Sequence, residues 1–88
     1  MQLKDQVCVI TGAASGIGHQ IAVTFAQDGA KVCIVDVQKE KAEAAAAETG
    51  GKAYICNLRS VSEIEATMAA VKADFGRVDV MVNVAGLA

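Results

Sequence analysis

Proline is absent from the 88 residues, no internal repeat recurs, and no linker-like stretch divides the chain. The length allows one domain. No charge of one sign dominates: eight Lys plus Arg stand against ten Asp plus Glu, a formal net charge of −2. That slightly acidic balance argues against a nucleic-acid or anionic-membrane surface. No apolar stretch approaches the roughly 20 residues of a membrane span. The N-terminus mixes acid and base before a short apolar run, so it does not read as a signal peptide. Disorder is excluded by a composition that is 53% hydrophobic and 20% charged. A chain this short buries only about 60–65% of its unfolded surface, so its core is marginal without a partner.

Cysteine and histidine are also scarce. Cys8, Cys33 and Cys56 are odd in number, and none falls in a CxxC spacing. With a single histidine beside them, they give a zinc site little to work with, and no metal site is expected. Each cysteine lies in a β-like apolar segment. They read as small buried hydrophobes in a reducing compartment, which implies a cytoplasmic protein.

What the sequence does contain is an alternation. Four apolar runs, Gln6–Thr11, Lys31–Asp36, Lys52–Asn57 and Val78–Asn83, are rich in Val, Ile and Cys and nearly continuous, as strands buried on both faces should be. Between them lie three helical patterns. Gly16–Asp28 sets Ile17, Ile21 and Phe25 on one stripe, and Gly29 stops it. Gln38–Glu48 is alanine-rich and ends at Gly50-Gly51. Val61–Phe75 carries Val61, Ile64, Met68, Val71 and Phe75, with Ser60 and Glu63 as a capping-box pattern before it and Gly76 after it. This β-α-β-α-β-α-β order implies a parallel sheet with right-handed crossovers. By analogy with the doubly wound dinucleotide fold, the expected spatial order is 3-2-1-4, a Rossmann-like α/β arrangement. The first two helices then cover one face and the third covers the other.

The most informative segment, Thr11-Gly12-Ala13-Ala14-Ser15-Gly16-Ile17-Gly18, joins the first strand to the first helix. Gly12 permits a sharp turn. Gly16 lets backbone approach a pyrophosphate, and Gly18, with Ala22 and Ala26, offers a smooth face for packing. The free N–H groups and positive dipole at the helix start then face phosphate. Strand before and helix after are the context this pattern requires; a ligand-free βα turn is the bland alternative. No Lys-Ser or Lys-Thr follows the last glycine, which excludes a nucleoside-triphosphate P-loop. Asp36 ends the second strand, 18 residues beyond Gly18. A carboxylate there accepts from both ribose hydroxyls of an adenosine and repels a 2′-phosphate. No Arg or Lys occupies position 13, 14 or 37, so NAD is favoured over NADP.

TGAASGIG after a strand, Asp36 at the next strand end, and Val82-Asn83-Val84-Ala85-Gly86 in the fourth strand together resemble the short-chain dehydrogenase/reductase family across essentially the whole chain. The resemblance implies that Gly12, Ser15, Gly16, Ile17 and Gly18 cradle the pyrophosphate and nearby ribose. It implies that Asp36 and Val37 hold the adenosine ribose, that Asn57 and Leu58 lie beside adenine, and that Asn83, Ala85 and Gly86 line the nicotinamide side. Two positions depart from the family pattern. Val84 replaces the second Asn of the Asn-Asn-Ala-Gly signature, and Asn57 stands where an aspartate is usual, its amide oxygen available to the adenine amino group.

The resemblance further implies hydride transfer between NAD and an alcohol or carbonyl substrate, in a complete enzyme whose catalytic serine, tyrosine, lysine and supporting asparagine lie beyond Ala88. No catalytic residue is expected within these 88. Tyr54 sits in the third strand with Leu58, not lysine, four residues on, and reads as packing. His19 reads as a surface residue, and Lys52 and Arg59 as solvated. The chain is therefore expected to be the N-terminal part of a single NAD(P)-binding domain, inactive alone. Its fourth strand would meet either the missing C-terminal half or a second copy. The alternative is a stand-alone, non-catalytic dinucleotide-binding module. A methyltransferase fits the glycine spacing and the fourth-strand motif poorly, and a remnant that binds nothing would show no nucleotide-dependent melting shift.

Overall fold

The computed structural model describes residues 3–84. The strands are β1 (Val7–Thr11), β2 (Lys31–Asp36), β3 (Lys52–Ile55) and β4 (Val80–Asn83), and the helices are α1 (Gly16–Gln27), α2 (Lys39–Thr49) and α3 (Val61–Phe75). All pairings are parallel, in the order β3-β2-β1-β4. This is the expected Rossmann-like arrangement.

Alternation along the strands splits the core into two layers. Ile10, Val32 and Ile34 face α1 and α2 and pack with Ala22, Ala42, Ala45 and Ala46. Val7, Val9, Cys33, Val35, Tyr54 and Cys56 face the other way and pack with Val71 of α3. The helices thus change sides between β1 and β4, which makes the gap between those strands the topological switch point. The small residues of α1 and α2 are what let those helices lie close to the sheet.

The helix stripes differ from their periodicity. Ile17 is 65% exposed and Val61 69%, so neither belongs to the core. Both lie in the first turn of their helix. In α1 the buried side is Gly18 and Ala22, with Ile21 and Phe25 only partly covered.

Strand ends move for identifiable reasons. β3 stops at Ile55, although Cys56 N–H still donates to Asp36 O at 3.0 Å, because Asn57 N–H turns to the Glu63 carboxylate. Ser60 Oγ does accept from Glu63 N–H, but the reciprocal arm of the expected capping box goes to Asn57 and not to Ser60. β4 begins at Val80 and not Val78. Asp79 stands at its entrance, accepting from Val7 N–H and from Arg77 Nε, both at 2.8 Å.

Candidate functional site

The turn after β1 is built around an interlock of glycines. Gly12 has φ +69° and Gly16 φ +63°, both in the left-handed region. A Cβ on Gly18 would come within 2.2 Å of the Gly12 carbonyl oxygen, so the first turn of α1 lies directly against the loop that leads into it. A Cβ on Gly16 would meet nothing within 4 Å. Gly18 therefore closes the turn on itself, while Gly16 faces open space. Ser15 caps α1 with extended backbone, yet its side chain accepts no bond from the helix. The N–H groups of Gly16, Ile17 and Gly18 find no backbone acceptor among the described residues. Three free donors at the positive end of a helix dipole suit an anion, and the vacant side of Gly16 gives it room.

Asp36 is only 7% exposed. Its carboxylate accepts from Ala14 N–H at 3.2 Å and from Gln38 N–H at 3.0 Å. The acid at the end of β2 is thus bonded directly to the glycine turn after β1, in a fixed orientation. Each oxygen keeps lone-pair capacity beyond the backbone bond it accepts. Val37 follows it, 63% exposed.

On the other side of the strand ends, Thr11 and Asn83 meet across the switch point, with Thr11 Oγ1 donating to Asn83 Oδ1 at 2.8 Å. They open a largely apolar crevice of about 200 Å³, lined also by Leu58, Ile64, Met68 and Met81. Asn57 and Leu58 lie beyond β3 at the same end of the sheet. Gly12, Ser15, Gly16, Ile17, Gly18, Asp36, Val37, Asn57, Leu58 and Asn83 are therefore all at the C-terminal ends of the strands. Ala85 and Gly86 lie outside the described residues.

The other titratable groups have structural surroundings. Tyr54 donates its hydroxyl to the Asp74 carboxylate, which also takes Lys52 Nζ at 2.7 Å, so Lys52 is ion-paired where solvation alone was expected. Burial, and then the bond to Asp74, raises the Tyr54 hydroxyl well above its ordinary value and keeps it a donor. His19 is half-buried and reaches Glu48 of α2 at 2.6 Å, a helix-to-helix contact that the surface reading of this residue missed. Arg59 is exposed. The three cysteines are free and buried, and burial pushes the Cys33 thiol up to about 11. No three metal-ligating side chains cluster among the described residues, and no helix there is long and apolar enough to cross a membrane.

Comparison with known proteins agrees with this geometry. Residues 6–88 match the short chain dehydrogenase family model. D-threitol dehydrogenase of Mycolicibacterium smegmatis is 42% identical over 99% of this chain, and galactitol 2-dehydrogenase of Agrobacterium fabrum is 40% identical over 99%. This chain covers 35% of each. The crystal structure of 3-ketoacyl-(acyl-carrier-protein) reductase from Brucella melitensis complexed with NADH superposes with a TM-score of 0.88 at 38% identity, over 91% of this chain and 34% of that one. The chain belongs to the short-chain dehydrogenase family, and it spans about a third of the length of the curated relatives it matches.

Proposed function

We propose that this chain is the N-terminal, cofactor-binding part of a single Rossmann domain in an NAD-dependent alcohol/carbonyl oxidoreductase. The observation that carries the reading is the Asp36 carboxylate, held by Ala14 and Gln38 N–H groups beside the open face of Gly16. A pyrophosphate on the α1 N-terminus places its adenosine ribose at a carboxylate that is already oriented to accept the hydroxyls. The names of the relatives, two sugar-alcohol dehydrogenases and a ketoacyl reductase bound to NADH, support the redox class and the nicotinamide cofactor.

When bound, the nicotinamide supplies hydride transfer to or from a carbinol carbon. The residues of this chain do the rest: Gly12, Ser15, Gly16, Ile17 and Gly18 hold the pyrophosphate, and Asp36 and Val37 the adenosine ribose. Asn57 and Leu58 flank the base, and Asn83, Ala85 and Gly86 the nicotinamide side. None of these residues is an acid or base suited to the substrate proton, and Tyr54 is engaged by Asp74. These 88 residues alone are accordingly expected to show no turnover. Free buried thiols fit a reducing, cytoplasmic setting.

Asp36 has no cationic neighbour at 13, 14 or 37 to accept a 2′-phosphate. Titration of the full chain with NAD and with NADP tests the reading: NAD should bind more tightly, and equal affinity would overturn the preference. Binding of neither would overturn the cofactor assignment.

A further inference from the structure

The first turn of α1, where the pyrophosphate is assigned, has few anchors to the rest of the molecule. Ser15, Gly16 and Ile17 are exposed. The Ser15 side chain caps nothing, and the backbone bond that closes the turn, from His19 N–H to Ser15 O, is long at 3.4 Å. Gly18 lies against the Gly12 carbonyl, which fixes the turn to its own loop. The side-chain bond that this turn makes among the described residues belongs to His19, whose Nε2 is 2.6 Å from Glu48 Oε1 in the last turn of α2. A carboxylate can only accept, so Nε2 carries the hydrogen. His19 is three residues beyond Gly16, an axial distance of about 4.5 Å. The free N–H donors and the anchor to α2 thus share one helical turn.

We propose that His19 is a positioning residue for the phosphate-binding turn, acting through its bridge to Glu48 and not by contact with the dinucleotide. The bridge holds the first turn of α1 against α2, so that the N–H groups of Gly16, Ile17 and Gly18 keep one direction. Charge acts in the same sense. An imidazolium at the positive end of a helix is unfavourable unless an anion is close. Glu48 supplies one anion, and a bound pyrophosphate supplies a second. Protonation of the ring and binding of the pyrophosphate therefore favour each other, and the coupling is reciprocal. The other titratable groups packed around α1 are engaged or turned away. On β2, the Asp36 carboxylate is taken by Ala14 and Gln38, Cys33 packs on the α3 side, and Lys31 stands at the far end of the strand. On β1, Cys8 is buried and directed at Gln6 O. On α2, Lys39, Glu40, Lys41 and Glu43 are exposed, and among the described residues it is Glu48 that meets the ring.

The inference rests on the dinucleotide reading above, and its test separates the two. The full chain is titrated with NAD at about pH 6 and about pH 8, on either side of the range where imidazole loses its charge. It is compared with His19→Ala, Glu48→Ala, the double variant and His19→Arg. A partly exposed ion pair is worth little, so each alanine variant should weaken NAD binding about two- to fivefold at about pH 6. The double variant should be no weaker than the single ones, because all three lose the same bridge. Arginine stays charged and reaches a carboxylate, so His19→Arg should restore the native affinity. Native affinity should fall by about two- to fivefold toward about pH 8, and that fall should be absent from His19→Ala and His19→Arg. A packing contact alone would give neither the arginine rescue nor the pH dependence. Alanine variants that bind NAD like the native chain overturn the positioning role and leave the dinucleotide site standing. So do additive losses in the double variant, an arginine variant as weak as the alanine one, or a pH dependence that survives in His19→Ala. A native chain that binds no NAD at either pH removes the site and this inference together.

Discussion

Thr11 Oγ1 donates to Asn83 Oδ1 at 2.8 Å, joining β1 to β4 where the helices change sides of the sheet. The two residues lie 72 positions apart and are paired in register. The bond fixes the mouth of the crevice and the orientation of the Asn83 amide. Thr11→Val keeps the shape and removes the donor. It should cost about 0.5–1.5 kcal/mol in urea unfolding while leaving the far-ultraviolet circular dichroism unchanged. An unchanged unfolding midpoint would show that water replaces the bond at no cost.

Gly16 and Gly18 separate two effects within one turn. Gly18→Ala drives a methyl into the Gly12 carbonyl, 2.2 Å away, and neither partner is a flexible side chain. It should destabilise by about 1–3 kcal/mol, measured by denaturant titration. Gly16→Val meets open space and carries only the strain of a positive φ, about 1–2 kcal/mol. Its side chain would fill the volume assigned to pyrophosphate, so NAD binding should vanish while the helical signal persists. Normal NAD binding by Gly16→Val would move the phosphate elsewhere.

Asp36→Ala with Val37→Arg removes the carboxylate proposed to repel a 2′-phosphate and adds a partner for it, which should narrow or reverse the proposed preference for NAD over NADP. The structure adds a second consequence. Ala14 is buried, and its N–H loses an acceptor when the carboxylate goes, a loss of about 1–3 kcal/mol in stability. Parallel calorimetric titrations with the two cofactors and a melting curve read the two effects separately.

How much of this was legible in the sequence follows from the range of each interaction. The strand–helix alternation and the glycine turn come from local patterns, the strand order comes by analogy with the doubly wound fold, and the two helix faces then follow from the handedness of crossovers; all appear as expected. The Asp36–Ala14 bond and the His19–Glu48 contact depend on loop geometry and on residues 22 and 29 positions apart, which no spacing encodes. Ile17 and Val61 misled because a helix period says which residues share a side, not how far along the helix that side is covered. The Ser60–Glu63 pattern marked the start of α3 correctly, but could not show that the Glu63 carboxylate is drawn to Asn57.

Asp79 gives the fold an acid dependence. Its carboxyl lies below the usual carboxylate range chiefly because Val7 N–H donates to it, with Arg77 adding to the effect. Asp74 is lowered as well, by Lys52 and then by Tyr54. A folded pKa below the unfolded one contributes stability that is present above the unfolded value, near about 3.9, and is lost as pH falls through the folded value. Urea midpoints should therefore drop as pH falls through and below the ordinary carboxylate range, and the drop should shrink in Asp79→Asn. An identical pH profile for Asp79→Asn would remove Asp79 from the account.

β4 is an edge strand with an apolar sequence. Val80 and Val82 are half-buried, and Met81 is 51% exposed beside the crevice. Its outer N–H and C=O groups face no strand among the described residues. The opposite edge, β3, begins with Lys52, a charge that discourages edge pairing. An apolar edge with unmet backbone groups recruits another strand. The 88 residues expressed alone should therefore self-associate through β4, unless the longer polypeptide typical of the relatives supplies that strand. Val82 packs against the α1 side of the core, so Val82→Lys would confound association with unfolding. Met81→Lys places its charge on an exposed position and should lower the apparent mass in light scattering while leaving the circular dichroism intact. A soluble monomer of the 88 residues at high concentration, unchanged by Met81→Lys, would show that this edge needs no partner and would favour the free-standing binding module over the enzyme segment.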